Sequence, residues 1–169
     1  PFKLQISSAA KLIVDLHAHL CTNEVIGFLG GRWDPASKAL EVLRAFPGRG
    51  QASGMDVEMD PLSEIELRSK IEEANMTVVG WYHSHPVFAP RPSGKDIDNQ
   101  SNYQNLCRDE ENKQEPFVGI IVSPYDMRLP GPVSSFSNFW VKNRQGGDDE
   151  VYTLDYDEKA ADKAEVEMV

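Results

Sequence analysis

The apolar run Met76-Thr77-Val78-Val79-Gly80-Trp81-Tyr82 ends directly in His83-Ser84-His85-Pro86, and this junction constrains the chain more than any other stretch. The run is rich in β-branched and aromatic residues, so it is predicted to be a buried strand. Side chains two apart on a strand point the same way and sit roughly 6.6 Å apart along the chain. His83 and His85 can therefore converge on one ion while Ser84 turns away. Asp96 then arrives from the next element as a third, anionic ligand. Two imidazoles, a carboxylate and one open position form the donor set of a catalytic zinc site, not of a closed structural one.

Each piece also has a plainer reading. A histidine at a strand end can be an ordinary hydrogen-bonded polar residue. Pro92-Ser93-Gly94-Lys95-Asp96 reads as a helix start, with Ser93 at the cap and Asp96 completing a capping-box-like pair. Their coincidence at one spacing, directly after a hydrophobic strand, favours the metal site. The two uses of Asp96 are compatible, because the helix dipole favours an ionised aspartate in the first turn. A second His-x-His, at His17 and His19, lies where Leu12, Ile13, Leu16 and Leu20 recur at helical spacing. Residues two apart on a helix diverge by about 200°. That pair cannot share a metal and is expected to be packed or solvent-facing.

His83-x-His85, seven intervening residues and then Ser93-x-x-Asp96 resembles the signature of the JAMM/MPN+ zinc metalloproteases, which are deubiquitinases and isopeptidases. The upstream glutamate of that pattern matches Glu24, and the resemblance covers residues 12–141. Within the family it is similar to the branch of the MPN domain-containing protein and the Myb/SWIRM-bearing histone deubiquitinase. That similarity rests on Glu24-Val25-Ile26-Gly27, Gly30-Gly31-Arg32, Asp96-Ile97-Asp98-Asn99-Gln100 and Ile121-Val122-Ser123-Pro124-Tyr125.

The resemblance implies an α/β fold, a mixed curved sheet flanked by helices of the cytidine-deaminase-like type. It implies one catalytic Zn²⁺ on His83, His85 and Asp96 with water as fourth ligand. It makes Glu24 the proton carrier and Ser93 a donor to the developing oxyanion, the alternative for Ser93 being a simple helix cap. Residues 47–59 and 124–135 fall at the family's two insertions, which flank the groove for an extended ubiquitin C-terminus. Met55, Val57 and Met59 alternate with acids in the first and can offer an apolar substrate contact; methionines there also read as core filler. The second lacks an additional His/Cys zinc cluster, so no strong linkage preference is expected. The function implied is a zinc-dependent isopeptidase removing ubiquitin or a ubiquitin-like protein from conjugates. The alternatives are an MPN scaffold or ubiquitin-binding module, inactive until a partner opens it, and a small-molecule zinc hydrolase.

The 169 residues suffice for one domain. Residues 1–145 are read as the catalytic domain and 146–169 as its C-terminal strand and acidic tail. There is no long apolar run, hence no expected membrane span or signal peptide. The start at Pro1 leads us to expect a piece of a longer protein. Cys21 and Cys107 lack metal-type spacing and read as reduced thiols of an intracellular protein; the resemblance implies a nuclear or cytoplasmic setting. Neither a Pro-Cys-x-x-Cys nor a His-Glu-x-x-His element is present. A net charge of −10 argues against nucleic-acid binding and suits a partner with a basic rim, as around ubiquitin's apolar patch. Helices are predicted at 8–21, 60–75 and 93–106. Strands are predicted at 24–29, 39–46, 76–85, 117–122, 136–141 and 151–154, with a turn at 32–38. Glu64/Arg68 and Glu66/Lys70 are expected to pair at i,i+4.

Overall fold

The computed structural model describes residues 1–53, 56–142 and 149–160. Chain order is β1 (Lys3–Ser7), α1 (Ser8–His19), β2 (Ile26–Asp34), β3 (Ala39–Pro47), β4 (Gly50–Ser53), β5 (Asp56–Met59), α2 (Pro61–Glu73), β6 (Thr77–Ser84), α3 (Gly94–Leu106), β7 (Val118–Ser123), β8 (Ser135–Lys142), β9 (Glu150–Thr153) and β10 (Tyr156–Lys159). One sheet runs β10-β1-β3-β2-β6-β7-β8-β9, and β4 pairs with β5 as a separate hairpin. The large sheet is mixed: β1 is parallel to β10 and β3, β6 is parallel to β7, and the other neighbours are antiparallel. It is the mixed α/β sheet expected from the sequence.

The buried strand ending in the histidines is β6, in the middle of the sheet between β2 and β7. Opposite it the register slips between Leu29 and Gly30. Such a bulge changes which face later side chains take. Val78 and Trp81, three apart, both pack on the α2/α3 side, whereas Val79 and Tyr82 pack on the α1 side. His83, two beyond Trp81, is thereby aimed towards α3.

Each sheet face has its own core. On one, α1 lays Ala10, Val14 and Ala18 against Leu29, Val79, Tyr82 and Ile120. On the other, Leu67 and Ile71 of α2 and Ile97 and Tyr103 of α3 cover Phe28, Trp81, Phe117, Ile121 and Phe139. Burying each large apolar side chain contributes about 1.5–3 kcal/mol.

Several expectations need correction. The leucines of α1 do not face the core: Leu12, Leu16 and Leu20 are 64, 53 and 75% exposed. The small Ala10 and Ala18 let the helix lie close to the sheet, and that selects the opposite face. The expected turn at 32–38 begins later, because β2 continues to Asp34, pairing Trp33 with Leu40 and Asp34 with Ala39. The Asp34 carboxylate then accepts from the Ala36 amide, and Lys38 takes φ 53° to close the turn. Residues 47–59, placed at the first insertion with no regular element expected there, contain a hairpin. Strands β1 and β10 were not anticipated. Asp60 caps α2 with Pro61 behind it, and Arg68 meets Glu64 at 2.8 Å as expected. Glu66, expected to pair with Lys70, meets Arg49 at 3.2 Å. Part of the acidic tail belongs to the sheet as β10; Asp148 and residues 161–169 lie outside the described residues. No helix among the described residues is long and apolar enough to cross a membrane.

Candidate metal centre and cleft

His83 is the penultimate residue of β6, and His85 follows just past its end. The His85 amide still donates to the Val122 carbonyl at 2.9 Å, so the second histidine remains tethered to β7. Both are buried, as is Asp96 in the first turn of α3. Their ligand atoms converge: His83 Nε2 lies 3.0 Å from His85 Nε2 and 3.2 Å from Asp96 Oδ1, while His85 Nε2 lies 3.7 Å from Asp96 Oδ2. Among the described residues this is the group of three or more His, Cys, Asp or Glu side chains able to hold a metal ion.

The donor set fits zinc on two further counts. His85 Nδ1 faces the Ala89 carbonyl at 3.1 Å, an atom that only accepts. The proton of the neutral ring therefore sits on Nδ1, leaving the Nε2 lone pair directed at the shared point. Ligands about 2.0–2.1 Å from a tetrahedral zinc lie about 3.3 Å from one another. The observed separations bracket that value.

Asp96 serves two purposes. Its Oδ2 accepts from the Ser93 amide at 2.7 Å and the Ser93 hydroxyl at 2.8 Å, while its own amide donates to Ser93 Oγ at 3.2 Å. The capping box anticipated from sequence is thus complete, and Oδ1 remains directed at His83. Burial acts to raise the Asp96 pKa. The neighbouring His83 and His85 rings, the charge of His83 and the Ser93 amide outweigh it and hold the carboxyl far below its ordinary range. For His85, burial disfavours the charged ring. The nearby Asp96 carboxylate, the Ala89 carbonyl and the charge of Glu24 overcome that and raise its pKa.

Glu24 lies two residues before β2, and Ile26 of that strand pairs with His83. What anchors the glutamate is Ser84. Its Oγ accepts from the Val25 amide at 2.9 Å, and its amide donates to the Val25 carbonyl at 3.0 Å. Ser84 is turned away from the histidines, as expected, and fully buried. Glu24, Val57, His85, Phe88, Ser93, Lys95 and Asp96 line one open cleft.

Of the predicted substrate contacts, Val57 borders the cleft but is itself buried in the α2-side core, against which Met59 also packs. Met55 lies outside the described residues. His17 and His19 stand apart from the centre: His17 Nδ1 meets the Tyr82 hydroxyl at 2.9 Å and His19 Nδ1 donates to the Asp15 carbonyl at 2.8 Å. Sequence reasoning missed Phe88, whose half-exposed ring stacks on His85 with centroids 4.4 Å apart. It also missed Lys95, which pairs with Glu58 of the hairpin at 2.7 Å. The apolar Val87-Phe88 pair between two prolines was the available signal for the first; the second joins segments remote in sequence and had none.

A mixed sheet whose central strand ends in a buried His-His-Asp group beside a glutamate-lined cleft defines the class. Residues 3–109 match the model of the JAB1/Mov34/MPN/PAD-1 ubiquitin protease family, and the chain belongs to that family. It is 43% identical over 137 residues to the human protein named Deubiquitinase MYSM1, covering 81% of this chain and 16% of that one. It is 42% identical over 141 residues to the human MPN domain-containing protein, covering 83% and 30%. The MYSM1 protein of Xenopus laevis, named as a histone deubiquitinase, is 38% identical over 148 residues, covering 88% and 18%. The branch expected from sequence is thus the one matched, and the chain spans less than a third of these relatives. Among solved structures, the solution structure of protein DSY2949 from Desulfitobacterium hafniense superposes with a TM-score of 0.67. It shares 21% identity over 95% of this chain and 96% of that one, a likeness of fold.

Proposed function

We propose that the chain is the catalytic domain of a zinc-dependent isopeptidase that removes ubiquitin, or a ubiquitin-like protein, from conjugates. The observation that carries this reading is the convergence of His83, His85 and Asp96 on one point beside Glu24. These three would hold a Zn²⁺, with water as fourth ligand. When bound, the ion lowers the pKa of that water and polarises the scissile carbonyl.

The chain's own residues do the rest. Glu24 takes a proton from the water as its oxygen adds to the isopeptide carbonyl carbon. Glu24 then delivers that proton to the lysine nitrogen as the C–N bond breaks, yielding a carboxylic acid and a free amine. The acid's remaining proton passes to the amine to leave a carboxylate and an ammonium. Ser93 donates its hydroxyl proton to the carbonyl oxygen as that oxygen gains charge, exchanging the Asp96 bond it makes at rest. Phe88, half-exposed at the cleft, gives the extended substrate an apolar contact, with the buried Val57 behind the wall. The name of the Xenopus laevis relative makes a ubiquitinated histone one candidate substrate, and a nuclear setting accords with it.

A second reading has one observation in its favour. The Lys95–Glu58 ion pair ties the β4–β5 hairpin to the first turn of α3, beside the cleft. A partner that displaced the hairpin would switch on a domain otherwise idle. Zinc-loaded protein offered diubiquitins and ubiquitinated nucleosomes separates the two. Cleavage that stops with chelator and returns with zinc supports the isopeptidase. A folded, zinc-bound protein leaving every conjugate intact supports the partner-gated module.

A further inference from the structure

Helix α3 does more for the centre than supply Asp96. One turn further on, Gln100 is fully buried, and its Oε1 accepts from the Trp81 indole N–H at 2.8 Å. The Trp81 ring lies flat against the His83 imidazole, with centroids 4.8 Å apart and planes 14° from parallel. The orientation of the Gln100 carboxamide is not arbitrary. Its nitrogen donates to the Phe117 carbonyl at 2.9 Å and to Gln104 Oε1 at 2.9 Å, and only the nitrogen can serve a carbonyl. Gln104 is held in turn by the backbone of β8, accepting from the Val141 amide and donating to the Val141 carbonyl. A path of oriented hydrogen bonds therefore runs from the sheet backbone through two buried carboxamides to the indole, and the indole presses on His83.

We propose that Gln100 is a positioning residue which, acting through Trp81, sets the plane of His83 and hence the direction of its Nε2. The proposal rests on reading His83, His85 and Asp96 as zinc ligands. Two aspects of the network point beyond plain packing. An apolar side chain filling the same space would leave nothing to choose among rotations of the indole, whereas one N–H bond selects a single plane. Buried amides stabilise a core little more than apolar groups of equal shape, so what they add is orientation. The same helix also carries Asp96, so α3 couples an anionic ligand and the plane of an imidazole ligand in one rigid body. His85 is oriented separately, by the Ala89 carbonyl and Phe88.

The test compares Gln100→Leu with Gln104→Leu. Each removes one buried carboxamide, but Gln100 alone touches the indole. Zinc affinity is read by competition with a chromogenic chelator, and thermal unfolding of the zinc-free proteins gives the general structural cost. We expect similar losses of stability. Gln100→Leu should weaken zinc binding about tenfold or more, the scale of lost orienting partners around ligating histidines. Gln104→Leu leaves Gln100 fixed by the Phe117 carbonyl and should stay within a factor of about two to three of wild type. Equal weakening in both, or none in Gln100→Leu, overturns the proposal. Should Gln100→Leu fail to fold, Trp81→Phe keeps a ring against His83 without the N–H. A several-fold weaker affinity there supports the proposal, and wild-type affinity overturns it. If wild-type protein takes up no zinc, the ligand reading itself fails. The positioning claim is then judged from crystals of Gln100→Leu: a turned His83 ring upholds it, and an unmoved ring overturns it.

Discussion

At the residue scale, Ser84 carries no chemistry, yet two hydrogen bonds to Val25 make it the fixture that holds the Glu24 segment against the end of β6. In Ser84→Ala the Val25 amide loses its acceptor, which costs about 1–3 kcal/mol when such a donor is buried. We expect chemical denaturation to register that loss. We also expect kcat to fall roughly tenfold or more from misplacement of Glu24, with zinc content unchanged; loss of zinc would place Ser84 in the metal site instead. A second residue-scale effect concerns pH. Burial holds the His17 imidazole below its ordinary 6.5. The unfolded chain therefore takes up that proton first as pH falls, so stability declines through the window just below 6.5. His17→Gln keeps a partner for the Tyr82 hydroxyl without titrating. Urea unfolding from neutral pH to about 5.5 should show wild type losing stability relative to this variant; a constant difference would refute the assignment. His83, His85, Asp96 and Ser93 were legible in the sequence because two periodicities, strand then helix cap, place them. Gln100 and Gln104 were not, since polar residues four apart on a helix ordinarily read as a solvated face.

At the scale of elements, the β4–β5 hairpin holds Val57 at the cleft and is tied to α3 by Lys95 and Glu58, both partly exposed. Such a pair contributes little to stability, about 0–1 kcal/mol. Its consequence lies in where the hairpin sits. Glu58→Lys should leave the unfolding temperature nearly unchanged while altering KM for conjugates. Adding Lys95→Glu in the same protein should restore the wild-type value. A KM indifferent to both would remove the hairpin from substrate handling. Sequence reasoning located the three helices and the strands marked by apolar, β-branched runs. It missed β1 and β10, whose partners are remote: Leu4 pairs with Tyr156. Four- and five-residue strands carry too little periodicity to announce such pairing. It also took the leucines as the notable stripe of α1, where proximity to the sheet favours the alanine face.

At the scale of the whole molecule, the centre joins elements from across the fold: the end of β6, the start of α3 and the segment leading into β2. An ion held there adds stability to the entire domain, by about 2.7 kcal/mol at a free concentration of about 100 Kd. Chelation should accordingly lower the unfolding temperature, and an Asp96→Asn variant should show little response to zinc. The family and the mixed sheet were readable because the motif joins the end of an apolar strand to a helix cap at a fixed spacing, with Glu24 upstream. The bulge at Leu29–Gly30 and the two separate cores were not, since they depend on pairing across the chain.

The most direct measurement places wild type and Glu24→Gln side by side, each analysed for zinc and then mixed with ubiquitin conjugates. We expect one zinc in both and cleavage by wild type, with a rate about 10²–10⁴ lower in the variant, the range for loss of a general base. A variant that cleaves as fast as wild type, or that has lost its zinc, would contradict the role given to Glu24 and the chemistry built on it.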